Sequence, residues 1–187
     1  MNETKATSEP VLLAQGRFLR LVRVGQWEYA ERIRASGAAV IVAVTEEHRL
    51  LLVEQYRVPV GCRTIELPAG VCGDEPETAH EAGEEAARRE LREETGYDAA
   101  HLERLLTGPS GPGMISEIVT FFRATGLKRV GQGGGVAGEG ITVHEVPLDG
   151  LEAWLSERSR VGTMIDPKVY AGLYWIRFPR AGRDPGR

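Results

Sequence analysis

The sequence predicts an α+β protein, a sandwich-like arrangement with a mixed sheet between helices. Two observations carry this reading. Strand-like segments come first, one helix-length segment interrupts them, more strands follow, and two helices close the chain. The chain has 187 residues and is 42% hydrophobic, enough for one domain with a real core.

Each element has its own signal. "GRFLRLVRV" (16–24) alternates apolar and polar residues, as a half-exposed strand does. "QWEYAERI" (26–33) follows across a Gly25-Gln26 turn, giving an N-terminal hairpin. "AAVIVAV" (38–44) is a continuous apolar run and fits a strand buried on both faces, with "HRLLLVEQYR" (48–57) as its partner. "RTIELPAG" (63–70) is a short strand ending at Pro68 and Gly70. A helix then runs to Glu94, opened by a Thr78-x-x-Glu81 capping box and closed by Gly96 as a left-handed cap. "AHLERLLT" (100–107) and "SEIVTFFRAT" (116–125) are strands around the turn-rich "GPSGPG" (108–113). "RVGQGGGVAGEG" (129–140) is a glycine-rich loop before the strand "ITVHEVPL" (141–148). The helices are 149–158 and 166–178, the second capped by Asp166 with Pro167 at its first position. The domain boundaries expected are a tail over 1–15, a strand pair over 16–36, the main domain over 37–178 and a tail over 179–187.

Composition narrows function. The net charge is −4 and no block of Lys or Arg stands out, which argues against nucleic acid as a partner. No apolar run is long enough to span a bilayer, and the polar start "MNETKATSEP" lacks a secretory apolar region. Cys62 and Cys72 make no disulfide framework, and the four histidines show no zinc spacing, so a reduced cytoplasmic setting is expected.

The stretch "RRELREETGY" concentrates charge on one helix. At about 100° per residue, Glu90, Glu93 and Glu94 share one face, where like charges repel. Gly83, Ala86 and Ala87 lie on the same face, leaving room beside the carboxylates. A hard divalent cation takes oxygen ligands and would relieve the repulsion. The plain alternative is a solvated face with Arg88, Arg89 and Arg92 pairing the glutamates.

These residues resemble the Nudix box, Gly-x5-Glu-x7-Arg-Glu-apolar-x-Glu-Glu-x-Gly-apolar. Arg89, Glu90, Leu91, Glu93, Glu94, Gly96 and Tyr97 match its second half, and Glu81 stands at the required spacing before Arg89. The first half departs, because ten residues separate Gly70 from Glu81. The resemblance covers about residues 16–178 and implies a Nudix-like α/β/α sandwich with a mixed sheet and an N-terminal β-hairpin extension. "ELPAG" (66–70), "VEQYRVPVG" (53–61), "WEYAER" (27–32) and "GEGITVHEV" (138–146) look like the ADP-ribose pyrophosphatase (ADP-sugar diphosphatase) branch. That branch implies a homodimer with shared active sites and Mg²⁺ as cofactor, with Mn²⁺ as a substitute.

The resemblance implies roles residue by residue. The Ala69 carbonyl, Glu90, Glu94 and Glu93 are the metal ligands, and Arg89 orients the glutamates. Glu139, on the glycine-rich loop, or Glu117 serves as general base; the mobile loop would carry Glu139 to the water. Trp27 stacks a purine, Arg57 contacts the diphosphate, and Glu28, Arg32 and Gly70 complete the substrate site. Each also has an ordinary reading: Trp27 as a core or interface aromatic, Arg57 as a surface ion pair, Glu139 as a solvated loop residue. The activity implied is hydrolysis of ADP-ribose to AMP and ribose 5-phosphate. Alternatives are another nucleoside diphosphate sugar or dinucleotide (GDP-mannose, NADH, FAD), or a non-catalytic ligand-sensing regulator of the same fold.

Overall fold

The computed structural model describes residues 9–35, 37–73, 83–135 and 138–178. The capping box at Thr78 and Glu81, the first eight residues and the tail after residue 178 lie outside the described residues. The strands are β1 (Val11–Gln15), β2 (Leu19–Val24), β3 (Trp27–Arg32), β4 (Gly37–Ala43), β5 (Arg49–Arg57), β6 (Cys62–Glu66), β7 (Ala69–Cys72), β8 (Tyr97–Pro109), β9 (Ile118–Arg129), β10 (Thr142–Pro147) and β11 (Met164–Ile165). The helices are α1 (Gly83–Glu90), α2 (Leu151–Arg160) and α3 (Pro167–Arg177).

Two four-stranded sheets form the body, ordered β7-β4-β9-β8 and β10-β5-β6-β11, and β1-β2-β3 form a separate sheet. β4 explains the layering. Its even residues, Val40 and Val42, join a core with Leu50, Leu52, Ile65, Leu155 and Val169 beneath α2 and α3. Its odd residues, Ala39, Ile41 and Ala43, join Ala86, Ala87 and Leu91 beneath α1. A strand buried on both faces needs apolar residues at every position, as "AAVIVAV" supplies. The result is the expected α+β sandwich, with helices on both sides of the sheets. Among the described residues, no helix is long and apolar enough to cross a membrane.

Four sequence expectations need correction. β5 does not pair with β4 in a common sheet. The chain reverses through Val44 to Leu50 with a single isolated bridge, and each apolar run becomes an interior strand of its own sheet. The segment 63–70 is two strands, divided at Leu67-Pro68; proline lacks the N–H that would continue a ladder, and the chain crosses from one sheet to the other. Residues 11–15, expected within the N-terminal tail, form β1 on the edge of β2, so the hairpin is a three-stranded sheet. The acidic helix is α-helical only to Glu90; Leu91–Thr95 form a π-helical turn, which Gly96 closes at φ 75°.

The helix signals near the C-terminus match the structure. Asp166 accepts a hydrogen bond from the Lys168 backbone N at 2.7 Å, and Pro167 opens α3. Just before it, β11 pairs in parallel with β6, and the Asp166 N donates to the Ile65 carbonyl at 2.9 Å. This short pairing places the first turn of α3 beside β6.

Candidate active site

A cavity of roughly 280 Å³ opens where β7, the end of α1, the π-turn, β5, β6 and α3 converge. Its lining brings together Arg32, Arg57, Ala69, Gly70, Glu90, Glu94, Glu117 and Glu139 of the residues singled out from the sequence. It also contains Gln55, Glu66 and Lys168, which the sequence reading missed. Five carboxylates (Glu66, Glu90, Glu94, Glu117, Glu139) face three cations (Arg32, Arg57, Lys168), so the site carries an excess of potential negative charge.

Glu90 lies directly over Gly70. A methyl group built there would come within 1.8 Å of the Glu90 Cδ, so any side chain at that point would displace the Glu90 carboxyl. The small residue beneath the glutamates is therefore on β7; Ala86 and Ala87 are instead fully buried against β4. Glu94 is 6% exposed and accepts a hydrogen bond from the Ala69 N at 2.9 Å. Burial pushes its carboxyl up to about 8, against the lowering effect of the Ala69 N–H and with the further push of Glu90, Glu139 and Glu66.

Glu93 lies on the π-turn; its side chain is 39% exposed and does not line the cavity, whereas Glu90 and Glu94 do. Arg89 bridges the two groups, with Nη1 at 2.7 Å from Glu90 Oε1 and 3.2 Å from Glu93 Oε2. This pairing fits an orienting role.

The glycine-rich loop is tied down where it leaves β9. Gly134 N donates to the Glu94 carbonyl at 2.7 Å, and Gly135 N to the Glu93 carbonyl at 2.9 Å. Glu139 then lies over Gly135, whose missing side chain makes the space: an added methyl would come within 2.2 Å of Glu139 Oε2. Glu139 thus lines the cavity. The rival Glu117 also lines it, but is ion-paired with Arg32 Nε at 2.6 Å.

The opposite wall is preorganised differently. Glu66 accepts from Arg57 Nε at 2.7 Å and from Nη2 at 2.6 Å, a two-point grip that raises the guanidinium pKa, and the Thr64 hydroxyl donates to the same carboxylate. Lys168 Nζ pairs with Asp166. The glutamate of "ELPAG" and the oppositely charged Arg57 on the adjoining strand were a readable signal. Lys168 had none, since its approach depends on the β11–β6 pairing.

Trp27 and Glu28 do not reach this cavity within one chain. In the β2–β3 ladder Arg32 opposes Leu19 at the cavity end, and Trp27 opposes Val24 at the far end, about 16 Å away at strand rise. Trp27 borders a different hollow with Tyr29, Pro112, Ile115 and Ser116. Phe18, 68% exposed, lines a side cavity of roughly 220 Å³ with Arg17 and Arg34. That side cavity shares Arg32 and Val71 with the main one.

Among the described residues, no three His, Cys, Asp or Glu side chains form a ready metal cage. The donor set nonetheless suits a hard cation. Glu94 is a buried carboxyl beside Glu90 and Glu139, accepting from the Ala69 N–H and within electrostatic reach of Arg57. Glu90, paired with Arg89 and lining the same cavity, offers a second carboxylate.

The sequence profile of the NUDIX domain matches residues 35–159. The chain is 33% identical over 160 residues to a methanol dehydrogenase activator of Bacillus methanolicus, covering 84% of this chain and 80% of that protein. It is 37% identical over 105 residues to an ADP-ribose pyrophosphatase of Bacillus subtilis (strain 168), covering 55% and 53%. It is 34% identical over 153 residues to a GDP-mannose pyrophosphatase of Enterobacter sp. (strain 638), covering 77% and 74%. A crystal structure described as an ADP compounds hydrolase matches with a TM-score of 0.68 at 20% identity, covering 90% of each chain, a likeness of fold.

Proposed function

The chain belongs to the Nudix family, and on that premise we propose that it is a Mg²⁺-dependent pyrophosphohydrolase converting ADP-ribose and water to AMP and ribose 5-phosphate. The observation that carries this reading is the two-walled cavity, with Glu90, Glu94 and Glu139 facing Arg57 and Lys168. Such a site suits a diphosphate, whose charge needs cations on both sides.

Glu90, Glu94 and the Ala69 carbonyl would hold Mg²⁺, which when bound supplies charge neutralisation and an acidified water. Arg89 restrains Glu90 through its guanidinium. Glu139, exposed at the cavity edge beside Glu94, takes the proton of the attacking water, with Glu117 ion-paired to Arg32. Arg57 and Lys168 bind the diphosphate oxygens. Phe18 offers its face to the base from the side cavity. The β1–β2–β3 sheet exposes Leu12, Leu19, Leu21 and Trp27, which supports a homodimer through this sheet.

A second reading keeps the chemistry and takes GDP-mannose as substrate. The GDP-mannose pyrophosphatase relative favours it, since that match covers more of both chains than the ADP-ribose one. The test is turnover of ADP-ribose, ADP-glucose, GDP-mannose and NADH with Mg²⁺ or EDTA, products separated by chromatography. AMP and ribose 5-phosphate formed fastest from ADP-ribose, and abolished by EDTA, is the expected result. Preference for GDP-mannose would transfer the assignment, and turnover indifferent to EDTA would end the metal reading.

A further inference from the structure

Glu66 is 5% exposed, lines the cavity and gives both oxygens to one partner. Arg57 Nε and Nη2 approach those oxygens at 2.7 and 2.6 Å. The Thr64 hydroxyl adds a third bond from the same strand, so the carboxylate is fixed from below as well as from the side. Arg57 itself is different: its side chain is 44% exposed and it lines the cavity. A long side chain with that exposure ordinarily samples many rotamers, and ordering it on substrate binding costs about 0.5–1.5 kcal/mol. The two-point grip removes that freedom in advance. It commits Nε and Nη2, leaving Nη1 as the terminal nitrogen outside the pair.

We propose that Glu66 is a positioning residue for the diphosphate: by holding Arg57 in one orientation it sets the affinity for the nucleoside diphosphate without touching it. This rests on the diphosphate reading of the cavity. The backbone supports it independently. Glu66 ends β6 one residue past Ile65, whose carbonyl anchors Asp166, so one strand end braces Arg57 directly and Lys168 through Asp166. Arg57 and Lys168 are thereby held at fixed spacing, as recognition of two linked phosphates requires.

The test is a double-mutant cycle of Glu66→Gln and Arg57→Ala in the full chain. KM for ADP-ribose and Kd for ADP are measured, with circular dichroism to check folding. Glu66→Gln is expected to raise KM and the ADP Kd about tenfold while kcat stays within about twofold, because uniform binding is lost and the glutamate-metal wall is untouched. In the Arg57→Ala background it should add nothing, because the residue through which it acts is gone. A folded Glu66→Gln with wild-type KM and Kd, or effects that simply add in the double variant, would overturn the proposal. If Glu66→Gln does not fold, Glu66→Asp, which keeps the charge but withdraws the two-point grip, goes through the same cycle under the same criteria. ADP binding separates this inference from the activity: a wild type that fails to cleave ADP-ribose defeats the proposed function, whereas ADP affinity indifferent to residue 66 defeats the positioning role.

Discussion

The two walls of the cavity solve opposite electrostatic problems. On the β5–β6–α3 wall, each cation arrives with its own carboxylate: Glu66 for Arg57, Asp166 for Lys168. On the β7–α1 wall, Glu94 is buried beside Glu90 and Glu139 with no ion pair among the described residues, and its carboxyl is pushed up to about 8. The first wall is finished before substrate arrives. The second is held in a strained charge state that an external cation would relieve. A protein selected only for stability would not bury Glu94 there.

Removing the strained charge gives the sharpest break between the walls. Glu94→Gln should lower Mg²⁺-dependent turnover by about 10³-fold or more, since a ligand and its charge are lost together. The same change should raise the melting temperature in EDTA at pH 8, because the buried charge is gone. A variant both inactive and less stable would mean that Glu94 is a structural residue. Gly70→Ala should come next, at about 10²-fold in kcat. The added methyl meets the Glu90 carboxyl at 1.8–1.9 Å and must displace it, while the fold, read by circular dichroism, should persist. Wild-type turnover in that variant would show that Glu90 does not need its place over β7.

The pH dependence of stability distinguishes the walls without any activity assay. The folded-state carboxyl of Glu94 lies at about 8, above its ordinary value of 4.5, so between these values the folded protein holds a proton that the unfolded chain has lost. In EDTA the melting temperature should therefore fall as pH rises from about 4.5 to about 8 and level off above it. Mg²⁺ should flatten that slope, and so should Glu94→Gln. A melting temperature that climbs through this range in EDTA would remove the picture of a strained acidic wall.

How much of this was legible in the sequence depended on how local the cause was. Gly96 as a helix stop, the Asp166-Pro167 start of α3 and the two-faced burial of β4 follow from short-range chemistry, and the structure has all three. Glu90 and Glu94 were found from their spacing. Glu93 does not line the cavity, and the π-turn at Leu91–Thr95 on which it sits was not legible, since no residue in "LREET" announces it. The separation of β4 from β5, the approach of Lys168 and the distance of Trp27 from the cavity all depend on which strands pair across the chain. Spacing along the sequence does not encode that. Glu66 is the intermediate case: its charge partner Arg57 could be read, and its burial could not.

The smallest expected effect concerns the base. Within one chain Phe18 lines the side cavity that shares Arg32 and Val71 with the main one, and Trp27 stands about 16 Å along the ladder from Arg32. Stacking on an aromatic is worth about 1–3 kcal/mol, so Phe18→Ala should raise KM for ADP-ribose about tenfold with kcat little changed. Trp27→Ala should be silent in a monomer. In a homodimer that lays β1–β2–β3 against a second copy, Trp27 could enter the partner's cavity, and its loss would then raise KM in step with dissociation of the dimer. Measuring both variants across protein concentrations, with light scattering alongside, separates these cases. A KM effect of Trp27→Ala that persists in a monomeric protein would contradict the ladder register itself. Silence of both variants would mean that the base is held by its edges and not by its face, and that the arginines beside Phe18 do the recognising.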